Sequence, residues 1–186
     1  MKIKFCGIKS KVDLKKSILS NCNFIGLNFY KKSKRYISTM HSDIIKMLPP
    51  YLKSISLFVN NSFFYILKKK NKFKFLQFHG NENFLFCELF KKKYLKTLKI
   101  LKKNIIYYYS DFFLYFLIDK KNLNFGGCGI PFLHFKINLI FCFIISGGIN
   151  NFNLIKIKKN TSCDFYDICS GVEYLFKKNL IKMILY

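Results

Sequence analysis

Apolar residues along this chain fall in short, near-continuous runs, and the segments between them are amphipathic. The runs predict eight strands: Ile3–Ile8, Phe24–Tyr30, Ser54–Val59, Phe73–His79, Leu95–Leu101, Phe112–Ile118, Leu139–Ser146 and Phe165–Ser170. An unbroken apolar run suits a parallel strand buried on both faces. The intervening segments predict helices over Asp13–Leu19, Asp43–Leu48, Asn60–Lys70, Asn81–Lys93, Lys102–Tyr109, Asn151–Lys158 and Glu173–Leu185, with a short one near Phe132–Ile137. Phe63, Phe64, Ile66 and Leu67 mark the inward side of the third helix, and Phe84, Leu85, Leu89 and Phe90 that of the fourth.

Strand then helix, eight times over, predicts an α/β protein: a (β/α)8 TIM barrel, one domain over residues 1–186. The chain is short for that fold, so its helices and loops must be trimmed. An open doubly wound sheet is the alternative, and it does not require eight units.

Composition adds two things. The formal net charge is +24, and of the 33 basic residues only Arg35 is arginine. Such a charge fits a nucleic-acid-binding protein, but the lysines are scattered and no RNA- or DNA-binding motif accompanies them. Lys, Asn, Ile, Phe and Tyr are abundant while Ala and Trp are absent, the bias of an A+T-rich genome, so the lysine excess reads as drift on solvated faces. Rare residue types therefore carry more weight. The seven cysteines form no C-x-x-C pair and no zinc spacing, and no signal peptide precedes the chain. A reducing, cytoplasmic setting is expected. The longest apolar stretches fall short of the ~20 residues that cross a membrane.

Eight of the nine glycines lie at or just after a predicted strand end; only Gly26 lies inside a strand. Barrel enzymes build their sites at that rim. Three successive loops there carry Gly126-Gly127-Cys128-Gly129, Gly147-Gly148 and Ser170-Gly171. Backbone N–H groups in such loops can hold a phosphate; the plainer alternative is tight turns. Cys6 closes strand one and Asp119 closes strand six. A thiolate can take a proton from carbon and a carboxylic acid can give one to a leaving oxygen. Buried packing for Cys6 and a helix cap for Asp119 remain open alternatives. Arg35 presents a fork suited to a carboxylate. Gln77, His79 and Asp167 are further candidates for contact with substrate, or for satisfying buried backbone groups.

Several segments together resemble the phosphoribosylanthranilate isomerase family of tryptophan biosynthesis. They are Lys4-Phe5-Cys6-Gly7-Ile8, Ser33-Lys34-Arg35-Tyr36, Phe58-Val59-Asn60, Leu76-Gln77-Phe78-His79-Gly80, Leu117-Ile118-Asp119, Gly126-Gly127-Cys128-Gly129, Ser146-Gly147-Gly148-Ile149-Asn150 and Asp167-Ile168-Cys169-Ser170-Gly171-Val172-Glu173. The resemblance implies an intramolecular aldose–ketose isomerase acting on N-(5′-phosphoribosyl)anthranilate. It implies Cys6 as general base, Asp119 as general acid, Arg35 on the anthranilate carboxylate and Asp167 near its amine. Gln77 and His79 would line the substrate site. Gly127, Gly129, Gly147, Gly148, Ser170 and Gly171 would bind the phosphate. No metal or organic cofactor, no nucleic acid and no membrane partner is implied, and the oligomeric state is left open. The chain departs from the family pattern at Lys34, Cys128 and Phe132-Leu133-His134, and at Cys169, where the family has serine. A decayed barrel without activity is the further alternative.

Overall fold

The computed structural model describes residues 1–38, 42–98, 112–119, 143–161 and 163–186. Eight parallel strands follow in chain order: β1 (Lys2–Cys6), β2 (Phe24–Asn28), β3 (Lys53–Phe58), β4 (Phe75–Phe78), β5 (Tyr94–Leu98), β6 (Phe113–Asp119), β7 (Phe143–Ser146) and β8 (Phe165–Ile168). Each pairs with the next, and β8 returns to pair with β1, so the sheet is a closed barrel. That closure sets aside the open-sheet alternative.

Most strands stop a residue or two earlier than the apolar runs predict, because the chain must turn at the rim. Gly7, for instance, takes φ +80° directly after β1. The expected ends of strands five and seven, the helices at 102–109 and 132–137 and the loop carrying Gly126, Gly127 and Gly129 lie outside the described residues.

Six α-helices are described: α1 (Lys11–Leu19), α2 (Ser42–Lys46), α3 (Phe63–Lys70), α4 (Phe84–Glu88), α5 (Leu154–Asn160) and α6 (Leu180–Ile184). Side chains of Ser10, Asn83 and Asn179 accept from the first-turn N–H groups of α1, α4 and α6. The helices are trimmed, as the chain length demands. Two expectations are corrected. Residues 173–185 are not one helix: a 3-10 turn (Ser170–Val172) leads into a hairpin, β9 (Glu173–Tyr174) and β10 (Lys177–Lys178), before α6. Leu175 and Phe176 both take positive φ at the hairpin tip, which a helix cannot accommodate. In and just after α3 and α4, Phe64, Leu67, Leu85 and Leu89 face solvent, whereas Phe90, beyond α4, is buried as expected. Each helix is too short to bury a wide stripe, so only Ile66 and Cys87 reach full burial beside a partly covered Phe63 and Phe84.

Alternation along the strands sorts side chains into two cores. Inward residues Phe24, Ile55, Leu95, Leu117, Ile144 and Phe165, with Phe75 and Tyr115, fill the barrel. Phe24 and Phe165 stack there with centroids 4.8 Å apart. Outward residues such as Phe5, Ile25, Phe58, Phe78, Tyr94 and Tyr166 meet the helical layer. Above the inner apolar layer the barrel turns polar, and that is where the site is built.

Candidate active site

Lys4 and Cys6 are two apart on β1, so both point into the barrel. Gly26 on β2 makes room for them: a Cβ there would lie 2.8 Å from Cys6 Sγ and 3.1 Å from Lys4 Cε. This is why a glycine interrupts a strand. Lys4 is fully buried, and its Nζ donates to Gln77 Oε1 at 2.6 Å and to Asp167 Oδ2 at 2.9 Å. Burial alone pushes the ammonium down, but Asp167, Cys6 and Cys169 around it leave its pKa raised. Asp167 Oδ1 is buried without a hydrogen-bond partner, an acceptor left over at the centre of the site.

Across the barrel, Asp119 ends β6, and His79 stands just beyond β4. His79 Nε2 lies 3.5 Å from Asp119 Oδ2, and its Nδ1 lies 2.9 Å from Thr97 Oγ1 and 3.4 Å from Gln77 Nε2. Burial pushes the imidazole pKa down; Asp119 opposes this and Lys4 adds to it, and the net direction is down. A neutral ring accepting at Nδ1 from Thr97 and donating from Nε2 to Asp119 satisfies this set, an assignment from the network.

At the β1–β8 seam, the register pairs Lys4 with Asp167 and Phe5 with Ile168, so Cys6 stands beside Cys169. The neighbouring Cys169 side chain first, then burial, raises the Cys6 pKa well above its ordinary value; Lys4 only partly offsets them. Cys169 moves the other way, lowered by the neighbouring Cys6 and by Lys178 and Arg35, and its Sγ lies 4.0 Å from Glu173 Oε1. Lys178, buried, donates from Nζ to the backbone carbonyls of Cys6 and Cys169 and to Glu173 Oε1. Arg35 reaches the same carboxylate in a fork, with Nε 2.8 Å from Oε1 and Nη2 2.6 Å from Oε2. Gly7 must be glycine for this arrangement: besides its positive φ, a Cβ would lie 2.6 Å from Arg35 Cδ.

Of the loops expected to bind phosphate, those after β7 and β8 are described. Gly147 and Gly148 take φ +92° and +72°. Gly171 lies so close to the Ile149 carbonyl that a side chain there would collide with it, so the two loops pack as a unit. Asn153 Nδ2 holds the Gly148 carbonyl at 2.9 Å. Gly127 and Gly129 lie outside the described residues.

The structure thus brings Cys6, Gln77, His79, Asp119 and Asp167 to one inner rim, with Arg35 at its edge. Sequence reasoning missed Lys4, Glu173 and Lys178. Among the described residues, no group of three or more His, Cys, Asp or Glu side chains is placed to hold a metal ion, and no helix is long and apolar enough to cross a membrane.

A closed parallel barrel with buried acids, a thiol and glycine loops at the C-terminal rim defines a (β/α)8-barrel enzyme. The family model for N-(5'phosphoribosyl)anthranilate (PRA) isomerase matches residues 3–186, and the chain belongs to that family. Its relatives include the N-(5'-phosphoribosyl)anthranilate isomerase of Legionella pneumophila (strain Paris), 31% identical over 184 residues, which are 93% of this chain and 88% of the relative. The enzyme of the same name from Staphylococcus aureus (strain Mu3) is 30% identical over 197 residues, 98% of this chain and 93% of the relative. Among solved structures, phosphoribosyl anthranilate isomerase from Thermotoga maritima superposes with TM-score 0.81 at 26% identity, covering 100% of this chain and 96% of that one. The Thermus thermophilus enzyme gives TM-score 0.83 at 21% identity over 100% and 96% of the two chains, a likeness of fold.

Proposed function

We propose that this chain, as one barrel domain, performs an Amadori rearrangement: N-(5′-phosphoribosyl)anthranilate becomes 1-(2-carboxyphenylamino)-1-deoxyribulose 5-phosphate, a step of tryptophan biosynthesis. In this reading Asp119 protonates the ribose ring oxygen, the C1′–O bond breaks, and the anthranilate nitrogen forms a Schiff base to C1′. Cys6 removes the C2′ proton, the electron pair moves toward the nitrogen, and the enolamine becomes the ketone as C1′ gains a proton from Cys6 and the C2′ hydroxyl loses one, which restores the acid. Atoms balance without a cofactor. The observation that carries the reading is the inward placement of Cys6 and Asp119 at one rim, with the unpartnered Asp167 Oδ1 between them as acceptor for the substrate N–H. His79 orients Asp119 and Gln77 holds Lys4, while Gly147, Gly148, Ser170 and Gly171, with Gly127 and Gly129, take the phosphate.

Arg35 binds the anthranilate carboxylate either on the edge of its fork away from Glu173 or by displacing Glu173. The free thiols of Cys6, Cys22, Cys87, Cys163 and Cys169 fit a cytoplasmic setting. The test is conversion of N-(5′-phosphoribosyl)anthranilate by the purified chain, with product separated chromatographically, beside Cys6→Ser and Asp119→Asn. Folded wild type without turnover overturns the reading. Rescue of a tryptophan auxotroph lacking this step, abolished by Cys6→Ser, supports it.

A further inference from the structure

Two cations meet one carboxylate at the edge of the site. Glu173 Oε1 accepts from Lys178 Nζ at 2.9 Å, and the same carboxylate takes both ends of the Arg35 fork, with Nε 2.8 Å from Oε1 and Nη2 2.6 Å from Oε2. All three side chains are withdrawn from bulk water: 18% of Arg35, 5% of Glu173 and 1% of Lys178 remains exposed. Together they carry one net positive charge. Charges withdrawn from water are paired in folded proteins, so the surplus calls for one further anion.

The fork decides where that anion goes. A guanidinium offers five N–H donors, and a carboxylate can pair with either of two edges. Glu173 fills the side-on edge, Nε with Nη2. The end-on edge, Nη1 with the second hydrogen of Nη2, makes no hydrogen bond among the described residues. Displacing Glu173 is the other route, and the contacts oppose it. Its departure breaks every bond just named and leaves the buried Lys178 ammonium with only the carbonyls of Cys6 and Cys169. Stranding a buried charge is strongly destabilising. Arg35 is also held elsewhere. Its backbone N–H donates to Ser33 Oγ at 3.1 Å, its stem runs against Gly7, and its guanidinium lies 5.7 Å from the centre of the Phe176 ring at the hairpin tip.

We propose that Glu173, anchored by Lys178, is a positioning residue: it holds the side-on edge of Arg35 so that the end-on edge receives the substrate's carboxylate. This inference rests on Arg35 as the carboxylate anchor of the reaction above. Glu173 stays in place as substrate binds, and two cations then face two carboxylates. A fork already oriented loses little freedom on binding. Lys178 also bonds the Cys6 carbonyl, so one ammonium fixes both the backbone of the base and the group that aims Arg35. A competing carboxylate would act in the opposite sense, since its removal would free the fork and tighten binding. Removing Glu173 also leaves extra positive charge, which favours any anion. The sign of the effect therefore separates positioning from competition.

The test compares wild type, Glu173→Gln, Glu173→Asp, Arg35→Met and Arg35→Met/Glu173→Gln, each checked for folding by circular dichroism. The probe is borohydride-reduced 1-(2-carboxyphenylamino)-1-deoxyribulose 5-phosphate, titrated by its aminobenzoate fluorescence. The control is the same compound with phenyl in place of 2-carboxyphenyl. In Glu173→Gln the Kd of the probe rises about fivefold or more, while that of the control stays within about twofold. KM for N-(5′-phosphoribosyl)anthranilate rises with it, and kcat changes much less. Glu173→Asp keeps the charge but has a shorter reach; its Kd rises about threefold, and it decides the question if Glu173→Gln does not fold. In the Arg35→Met background Glu173→Gln adds less than about twofold, because Glu173 acts through Arg35. A probe Kd that falls or stays put on removing Glu173, an equal loss for probe and control, or an undiminished loss in the Arg35→Met background overturns the proposal. The probe binds without turnover, so a wild type that binds it yet converts no substrate removes the isomerase reading while the titrations still judge Glu173.

Discussion

Lys4 Nζ and Asp167 Oδ2 form an ion pair 2.9 Å long in the interior of the barrel, joining the first strand to the eighth. Both side chains are withdrawn from solvent, so removing one strands the other. Lys4→Met is expected to destabilise the fold by about 3–5 kcal/mol. The melting temperature should fall by about 6–20 °C, since each kcal/mol shifts it about 2–4 °C at this size. The double variant Lys4→Met/Asp167→Asn should recover at least half of that loss without recovering activity. Thermal melts decide; a Lys4→Met protein that melts with wild type would mean that the pair adds nothing to the fold.

Gly26→Ala should damage activity more than stability. The added methyl meets Cys6 Sγ and Lys4 Cε, and both can shift only by leaving their partners. Overpacking of this kind costs about 1–3 kcal/mol. We expect kcat to fall by about two orders of magnitude, given what small misplacements of a reacting group cost. Equal kcat in the two proteins would mean that Cys6 does not need its present position.

Arg35→Lys keeps the charge but loses the planar fork. Its bidentate hold on Glu173 goes, and so does the planar surface offered to a substrate carboxylate. KM for N-(5′-phosphoribosyl)anthranilate is expected to rise about tenfold, with kcat changed much less. Steady-state kinetics separate the two quantities, and a change confined to kcat would place Arg35 elsewhere in the mechanism.

Stability should decline on the acid side in two stages. The folded imidazole of His79 has a pKa below its ordinary 6.5, so it binds a proton less readily than in the unfolded chain. Its contribution is complete above pH 6.5 and is lost as pH falls from there through the folded value. For Glu173, burial raises the pKa but Arg35 and Lys178 outweigh it, and the net direction is down from 4.5. Its contribution is present above that value and lost as pH falls through the folded one. Melting temperature against pH should therefore bend once near 6.5 and again below 4.5. His79→Asn should remove the first bend and Glu173→Gln the second.

The barrel was readable because strands buried on both faces must be apolar throughout, and eight such runs leave few arrangements. Arg35, Gln77 and the rim glycines stood out against a composition that disfavours them, while Cys6 and Asp119 stood out by closing strands at the same rim. The lysines did not. Lys4 interrupts an apolar strand, yet in a chain so rich in lysine that interruption looks like noise. The usable signal was spacing: Lys4 and Cys6 on the first strand are matched by Asp167 on the eighth and Cys169 just beyond it, each pair two residues apart. The segment from Glu173 to Leu185 was misread because its apolar spacing suits a helix, while the positive φ of Leu175 and Phe176 depends on a hairpin whose Lys178 is anchored on β1 and β8. Nothing local encodes that anchor.

The seam between β1 and β8 also bears on how the chain acquires its shape. The bonds that lock it span 163 positions from Lys4 to Asp167, 165 from Asp13 to Lys178 and 172 from Cys6 to Lys178. Contacts so distant along the chain form late, after the entropy of closing a long loop has been overcome. A nascent chain on the ribosome carries Cys6 long before Lys178 exists to grip the Cys6 carbonyl, so the first strand is fixed in place only when the segment beyond residue 165 has emerged and docked. Closure of the barrel and placement of the Cys6 backbone are, at this seam, one event.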